Sequence, residues 1–217
     1  MKKFSGLVFW VLGCALCTMA LGQTEPRDVR LLGDSIFAGS GDFEREFENL
    51  ASFDIQSHAV SGHRVAQIRD QYLRHRNPSI TTVIMNGGGN DVLGSARGDC
   101  MSVNERCQEV LQGITDTLVD LWQTMREDGV DHIVYVGFYH PTSWQAGLSR
   151  AVDHGMELVI AACEEAEIHC ILVDPRPAFD GRQGLITWDG IHPTWQGSRL
   201  LAELTYQAFV DHGISLD

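Results

Sequence analysis

Apolar residues cluster in short blocks at 29–32, 53–60, 80–85, 132–138 and 170–173. Each block is the length of a strand, and none alternates cleanly with polar residues, as expected of strands buried on both faces. After each block the apolar spacing changes to threes and fours. The clearest case opens with Ser102-Val103-Asn104-Glu105, which reads as a capping box. It continues with Val110, Leu111, Ile114, Leu118, Leu121, Trp122 and Met125 on one face and stops at Gly129. Further helices are expected over 65–74, 148–166 and 194–209, with a shorter one over 44–50. Strands alternating with helices imply right-handed crossovers and a parallel sheet covered on both faces. The expected fold is α/β, a flavodoxin-like three-layer α/β/α sandwich on a five-stranded parallel sheet. Ligands of such sheets bind beyond the carboxyl ends of the strands, so the residues after each apolar block are where chemistry is expected.

The first 22 residues break this pattern. Lys2 and Lys3 precede an apolar run over 7–21, and polar Gln23-Thr24-Glu25-Pro26 follows Gly22. This is the layout of a cleaved secretory signal over 1–22, with the working domain over 23–217. The run is shorter than the roughly 20 apolar residues that span a bilayer, which disfavours a retained anchor. Lipidation at Cys14 would leave an apolar tail on the mature chain. No other segment is apolar enough to cross a membrane, and a chain this long at 44% hydrophobic can bury one sizeable core.

Loss of Lys2 and Lys3 takes the formal charge from -13 to -15. An acidic surface of this kind repels phosphate backbones and anionic lipid, which argues against nucleic acid as a partner. Cys14 and Cys17 leave with the signal, and the remaining cysteines fall as Cys100 with Cys107 and Cys163 with Cys170. An even number in an exported chain suggests disulfides, with four buried thiols as the alternative. Positions seven apart on one helix lie about 10 Å apart, too far to bridge, so each pair needs a helix boundary between its members. Cys100 precedes the long helix that contains Cys107, and Cys163 lies near a helix end with Cys170 in the next strand.

Four short segments after the apolar blocks carry candidate chemistry. Gly33-Asp34-Ser35-Ile36 puts a serine on a tight turn, where backbone amides can face negative charge. Ala59-Val60-Ser61-Gly62-His63 offers a glycine N–H free of steric cover. Asn86-Gly87-Gly88-Gly89-Asn90-Asp91 brings a loop close and adds the Asn90 amide, a donor for a developing oxyanion. A phosphate cradle is the other use of such a loop, but it lacks the lysine of a P-loop and the GxGxxG spacing. Trp188-Asp189-Gly190-Ile191-His192-Pro193-Thr194 ends in a proline suited to a first helical position, which leaves 189–192 as a loop. There Asp189 can turn back onto His192 Nδ1, fix its tautomer and free Nε2 to take a proton. Singly, each segment is also what an ordinary turn supplies.

Together, Gly33-Asp34-Ser35, Gly62, Gly88-Gly89-Asn90-Asp91 and Asp189-Gly190-Ile191-His192 resemble the four blocks of the SGNH, or GDSL, hydrolases, in order and over most of the chain. The resemblance implies an ester hydrolase with Ser35 as nucleophile, His192 as base and Asp189 as the acid that orients it. It further implies an oxyanion hole of the Ser35 and Gly62 amides with the Asn90 side chain, and no metal or cofactor. None of the other histidines stands in a zinc spacing such as HExxH, which points the same way.

Substrate class is less marked. Lipid-type esters, including lysophospholipids and thioesters, and acetylated saccharides all occur in such a family, and a sugar- or anion-binding module is the non-enzymatic alternative. Short acyl chains are expected, because no set of hydrophobic loops large enough for a wide apolar pocket stands out. His140 and Trp144 could line an acyl or sugar pocket or lie on the surface. Ile36 and Phe37 could touch substrate but more commonly such residues pack in the core. Asp34 and Asp91 read as braces of their loops.

Overall fold

A computed structural model describes residues 28–215; the expected signal over 1–22 lies outside the described residues. The five strands are β1 (Asp28–Leu32), β2 (Gln56–Ser57), β3 (Ile80–Met85), β4 (His132–Val136) and β5 (His169–Val173). They pair in parallel in the order β2-β1-β3-β4-β5. Side chains alternate across the sheet with period two: Val29, Leu31, Ile84, Val134, Val136 and Ile171 face one core, while Leu32, Val83, Met85, Ile133 and Tyr135 face the other.

Helices α1 (Asp42–Ala51) and α5 (Trp195–Asp211) close the first core, packing on each other with Phe47 edge-on to Phe209 at 5.3 Å between ring centroids. Helices α2 (Val65–His75), α3 (Glu105–Glu127) and α4 (Ser149–Glu165) close the second. The result is the expected three-layer α/β/α sandwich. The apolar stripe read on α3 is the buried one, with Leu118, Leu121, Trp122 and Met125 sealed from solvent. Each such side chain contributes roughly 1.5–3 kcal/mol on burial.

Three local readings change. The block 53–60 yields only a two-residue strand, because β2 is an edge with a single partner and Val60 is exposed. The pairing with β1 continues as separate bonds, His58 N–H to the Leu31 carbonyl at 2.8 Å and Val60 N–H to that of Gly33 at 3.0 Å. The cap of α3 is Asn104 rather than Ser102. Val103 takes a left-handed φ of 51°, so the helix begins beyond it and Asn104 Oδ1 accepts from the Cys107 amide at 3.1 Å. Pro193 is not the first residue of α5: Thr194 caps that helix, with Oγ1 accepting from Gly197 N–H at 3.2 Å, and Pro193 precedes the cap.

Both cysteine pairs are bridged, Cys100 to Cys107 and Cys163 to Cys170. Each crosses a helix boundary, with Cα separations of 4.9 and 5.3 Å. The second staples the end of α4 to β5 at the sheet edge.

Candidate active site

In this strand order the chain turns from one side of β1 to the other between β1 and β3, and the crevice at such a switch point is where open α/β sheets bind ligands. Ser35 lies there, half-buried, as the first residue of a single helical turn, Ser35–Ala38. Asp34 caps that turn through Oδ1, which accepts from Ile36 N–H at 3.0 Å. Gly33 allows the close approach behind it: a Cβ on Gly33 would sit 2.0 Å from Asn86 Oδ1.

The loop before α5 brings His192 to this serine. His192 Nε2 lies 2.9 Å from Ser35 Oγ, and Nδ1 lies 2.7 Å from Asp189 Oδ2. Asp189 Oδ1 accepts three further hydrogen bonds, from the Ile191 and His192 amides at 2.8 and 3.0 Å and from the Thr187 hydroxyl at 2.7 Å. Partial burial pulls the Asp189 carboxyl upward, but the bonds from His192, Ile191 and Thr187 outweigh it and hold the group well below the usual carboxylate range. Asp189 is therefore a fixed anion beneath His192, and Ser35, His192 and Asp189 form one hydrogen-bonded chain.

Gly62 and Asn90 flank the same turn. Gly62 adopts φ of +83° although a Cβ there would meet nothing within 4 Å, so the backbone conformation and not space selects glycine. Neither the Ser35 nor the Gly62 amide donates a hydrogen bond to another described residue. Asn90 Nδ2 donates to the His63 carbonyl at 3.1 Å and, at a longer 3.4 Å, to Asp34 Oδ2. Asp91 accepts from the Val65 amide at 2.9 Å and so ties the glycine loop to the start of α2.

Two buried residues that pattern reading gives no role hold the Ser35 turn. Asn86 at the end of β3 accepts from the Asp34 amide at 3.1 Å and donates to its carboxylate at 3.0 Å. Burial pushes the Asp34 carboxyl up, opposed by the Ile36 amide and Asn86. Gln71 on α2 accepts from Gly33 N–H at 2.9 Å and donates to its carbonyl at 2.8 Å; its Nε2 also lies 2.9 Å from His63 Nδ1. The available signal is a glutamine on the apolar face of α2, between Ile68 and Tyr72, where only a partnered polar group is tolerated.

A cavity opens beside the serine. Ile36, Gly89 and Ile191, sequence neighbours of Ser35, Asn90 and His192, line it together with Leu111, Ala151 and Val159 of α3 and α4. Its walls are Tyr135 of β4, apolar residues of α3 and α4, and residues of the loops beyond the strands, among them Gly87, Val92, Leu93, Phe138 and Pro141. Ile36 is thus both packed and cavity-lining, while Phe37 is core. His140 and Trp144 do not line it. His140 bridges Asp180 and Asp153 at 2.9 and 2.8 Å, and exposed Trp144 stacks under Arg97 at 4.3 Å.

Residues 31–200 match the model of the GDSL-like lipase/acylhydrolase family. The chain belongs to this family. It is a serine hydrolase acting on ester bonds, in keeping with the architecture above. Among solved structures it is similar to the lipase Lip_vut3 from a goat rumen metagenome, at 17% identity and a TM-score of 0.69 over 84% of this chain and 97% of that one. It is also similar to Axe2, an acetylxylan esterase from Geobacillus stearothermophilus, at 19% identity and a TM-score of 0.65 over 85% and 95% of the two chains. Axe2 has been solved as catalytic mutants of a serine, an aspartate and a histidine. No curated protein matches the sequence.

Proposed function

We propose that the chain is an exported ester hydrolase in which Ser35 attacks the carbonyl of small or short-chain carboxylic esters. The observation that carries this reading is the chain of hydrogen bonds from Ser35 Oγ through His192 to Asp189, at 2.9 and 2.7 Å. His192 Nε2 takes the hydroxyl proton as Oγ bonds to the carbonyl carbon, and Asp189 stabilises the resulting imidazolium. The carbonyl oxygen becomes an oxyanion held by the Ser35 and Gly62 amides and by Asn90, whose second N–H leaves its long contact with Asp34 for this one. Loss of one such donor costs about 10²- to 10³-fold in rate. The C–O bond to the alcohol then breaks, with the alcohol oxygen taking the proton from His192. Water, deprotonated by His192, cleaves the acyl-serine and restores the free hydroxyl.

Export is supported by the sequence of 1–22 and by two disulfides, which persist in oxidising compartments. Among the described residues no helix is long and apolar enough to cross a membrane.

A second reading is O-deacetylation of saccharides. It is favoured by Trp188, which is 88% exposed beside Asp189 and offers a flat face on which a sugar ring can stack. The similarity to Axe2 points the same way.

The test is a fluorophosphonate probe with p-nitrophenyl acetate. Ser35 should be the labelled residue, and Ser35→Ala should abolish labelling and turnover with an unchanged thermal transition. Full turnover in Ser35→Ala would reject the assignment.

A further inference from the structure

We infer that the cavity between β4, the glycine loop after β3, α3 and α4 is the acyl-chain subsite, and that it takes a straight chain of about four to six carbons. This rests on Ser35 as the nucleophile and adds what that serine acts on.

The position of the cavity is the first reason. Its lining includes Ile36, Gly89 and Ile191, each one residue from Ser35, Asn90 or His192. An ester carbonyl held by Ser35 and Asn90 therefore has its acyl substituent at the cavity entrance, and the alcohol half is left toward exposed Trp188.

The chemistry of the walls is the second. The polar groups on the lining are already satisfied internally: Tyr135 donates to the Gly87 carbonyl at 2.8 Å, Tyr139 to that of Ile191 at 2.6 Å, and Thr115 to that of Leu111 at 3.1 Å. No charged side chain contributes to the lining. A sugar or a phosphorylated group entering this space would lose its hydrogen bonds to water and gain none, which excludes both from it. A hydrocarbon chain loses nothing.

Size sets the chain length. The cavity measures about 110 Å³, and since an apolar cavity of roughly 150 Å³ accepts benzene, a chain of about four to six carbons fills this one. Acetyl leaves most of it empty, and a long chain meets the side chains of α3 and α4. Ala151, buried on α4, and Leu111 on α3 both line it.

The experiment compares kcat/KM for p-nitrophenyl acetate, butyrate, hexanoate and decanoate in the full chain, each normalised to acetate. Each buried methylene should raise the ratio about fourfold up to hexanoate, and decanoate should fall below hexanoate. Ala151→Leu should bring the hexanoate-to-acetate ratio of kcat/KM down to about one. Leu111→Ala, which enlarges the space, should move the optimum toward decanoate. A steady decline from acetate onward, or the same profile in wild type and both variants, would overturn the proposal.

Binding separates this from the nucleophile assignment. Ser35→Ala should gain a larger thermal shift from the hexanoate ester than from the acetate ester, and Ala151→Leu in that background should cancel the difference. If wild type turned over no ester but this difference persisted, the subsite would stand and the role of Ser35 would fall. Equal shifts would remove the subsite.

Discussion

Asn86 grips Asp34 from both sides, accepting from its amide at 3.1 Å and donating to its carboxylate at 3.0 Å, one residue before Ser35. Both partners are buried, so the pair is the floor on which the Ser35 turn is built. Asn86→Leu keeps similar bulk but strands the buried Asp34 amide, at a cost of about 1–3 kcal/mol, and leaves the Asp34 carboxylate with the Ile36 amide and the long Asn90 contact alone. The urea midpoint should drop accordingly. Because the turn also carries the Ser35 amide, kcat should fall more than KM rises. A variant with lowered stability but unchanged kcat would confine Asn86 to a structural role.

Asp189→Asn isolates the electrostatic part of the site. The amide oxygen can keep the bonds from the Ile191 and His192 amides and the Thr187 hydroxyl, so the loop should fold as before. The amide nitrogen then faces His192 Nδ1 and donates to it. This forces the proton onto Nε2, the atom that must receive one from Ser35. On that reasoning kcat should fall about 10⁴-fold with little change in the thermal transition. A loss of tenfold or less would mean that Asp189 is not needed to set the tautomer.

Most of this site could be read along the chain because its parts lie outside the strands and long helices. Ser35, Gly62 and Asn90 stand in the turns beyond strands, and Asp189 to His192 in the loop before α5, where a serine, glycine or histidine is not explained by packing. The strand Ile80–Met85 was legible for the complementary reason, being buried on both faces and apolar apart from Thr81 and Thr82. Gln71 and Asn86 escaped because each is one polar residue inside an apolar pattern, and its partners lie 38 and 52 positions away. The cavity escaped because Leu111, Ile114 and Val159 would give the same helical stripes whether or not a space remained between them. A void is a property of how helices sit on the sheet, not of the residues of any one helix. The cap of α3 was misplaced by two residues because Ser102 and Asn104 are equally good caps, and the left-handed turn at Val103 decides between them.

The disulfides should contribute unequally to function. Each closes a short loop, for which chain-entropy reasoning gives roughly 2–3 kcal/mol. Cys100–Cys107 joins α3 to the segment that follows the Asn90 loop, whereas Cys163–Cys170 lies at the far edge of the sheet in β5. Replacing either pair by serine should lower the denaturation midpoint by a similar amount. Only loss of the first should also lower kcat for acetate, by loosening the approach to Asn90. Equal kcat values for the two variants would show that the Asn90 loop is held without the bridge.

His140 should make stability depend on pH. Partial burial pulls its imidazole down, but the carboxylates of Asp153 and Asp180, at 2.8 and 2.9 Å, outweigh that and raise it above its ordinary value. Arg176, also 2.8 Å from Asp153 and paired with Asp174, adds to His140 in holding the Asp153 carboxyl below its ordinary range. A raised folded-state value means that the protonated form favours folding. The contribution is fully present below the unfolded value of about 6.5 and disappears as pH rises through the raised one. Because the partners are about half exposed, the effect is modest and screened by salt. Between about pH 6 and about pH 8.5 the urea midpoint of the wild type should fall. His140→Gln should flatten that slope, and added salt should flatten it in the wild type. Parallel slopes in the two proteins would show that His140 titrates without coupling to the fold.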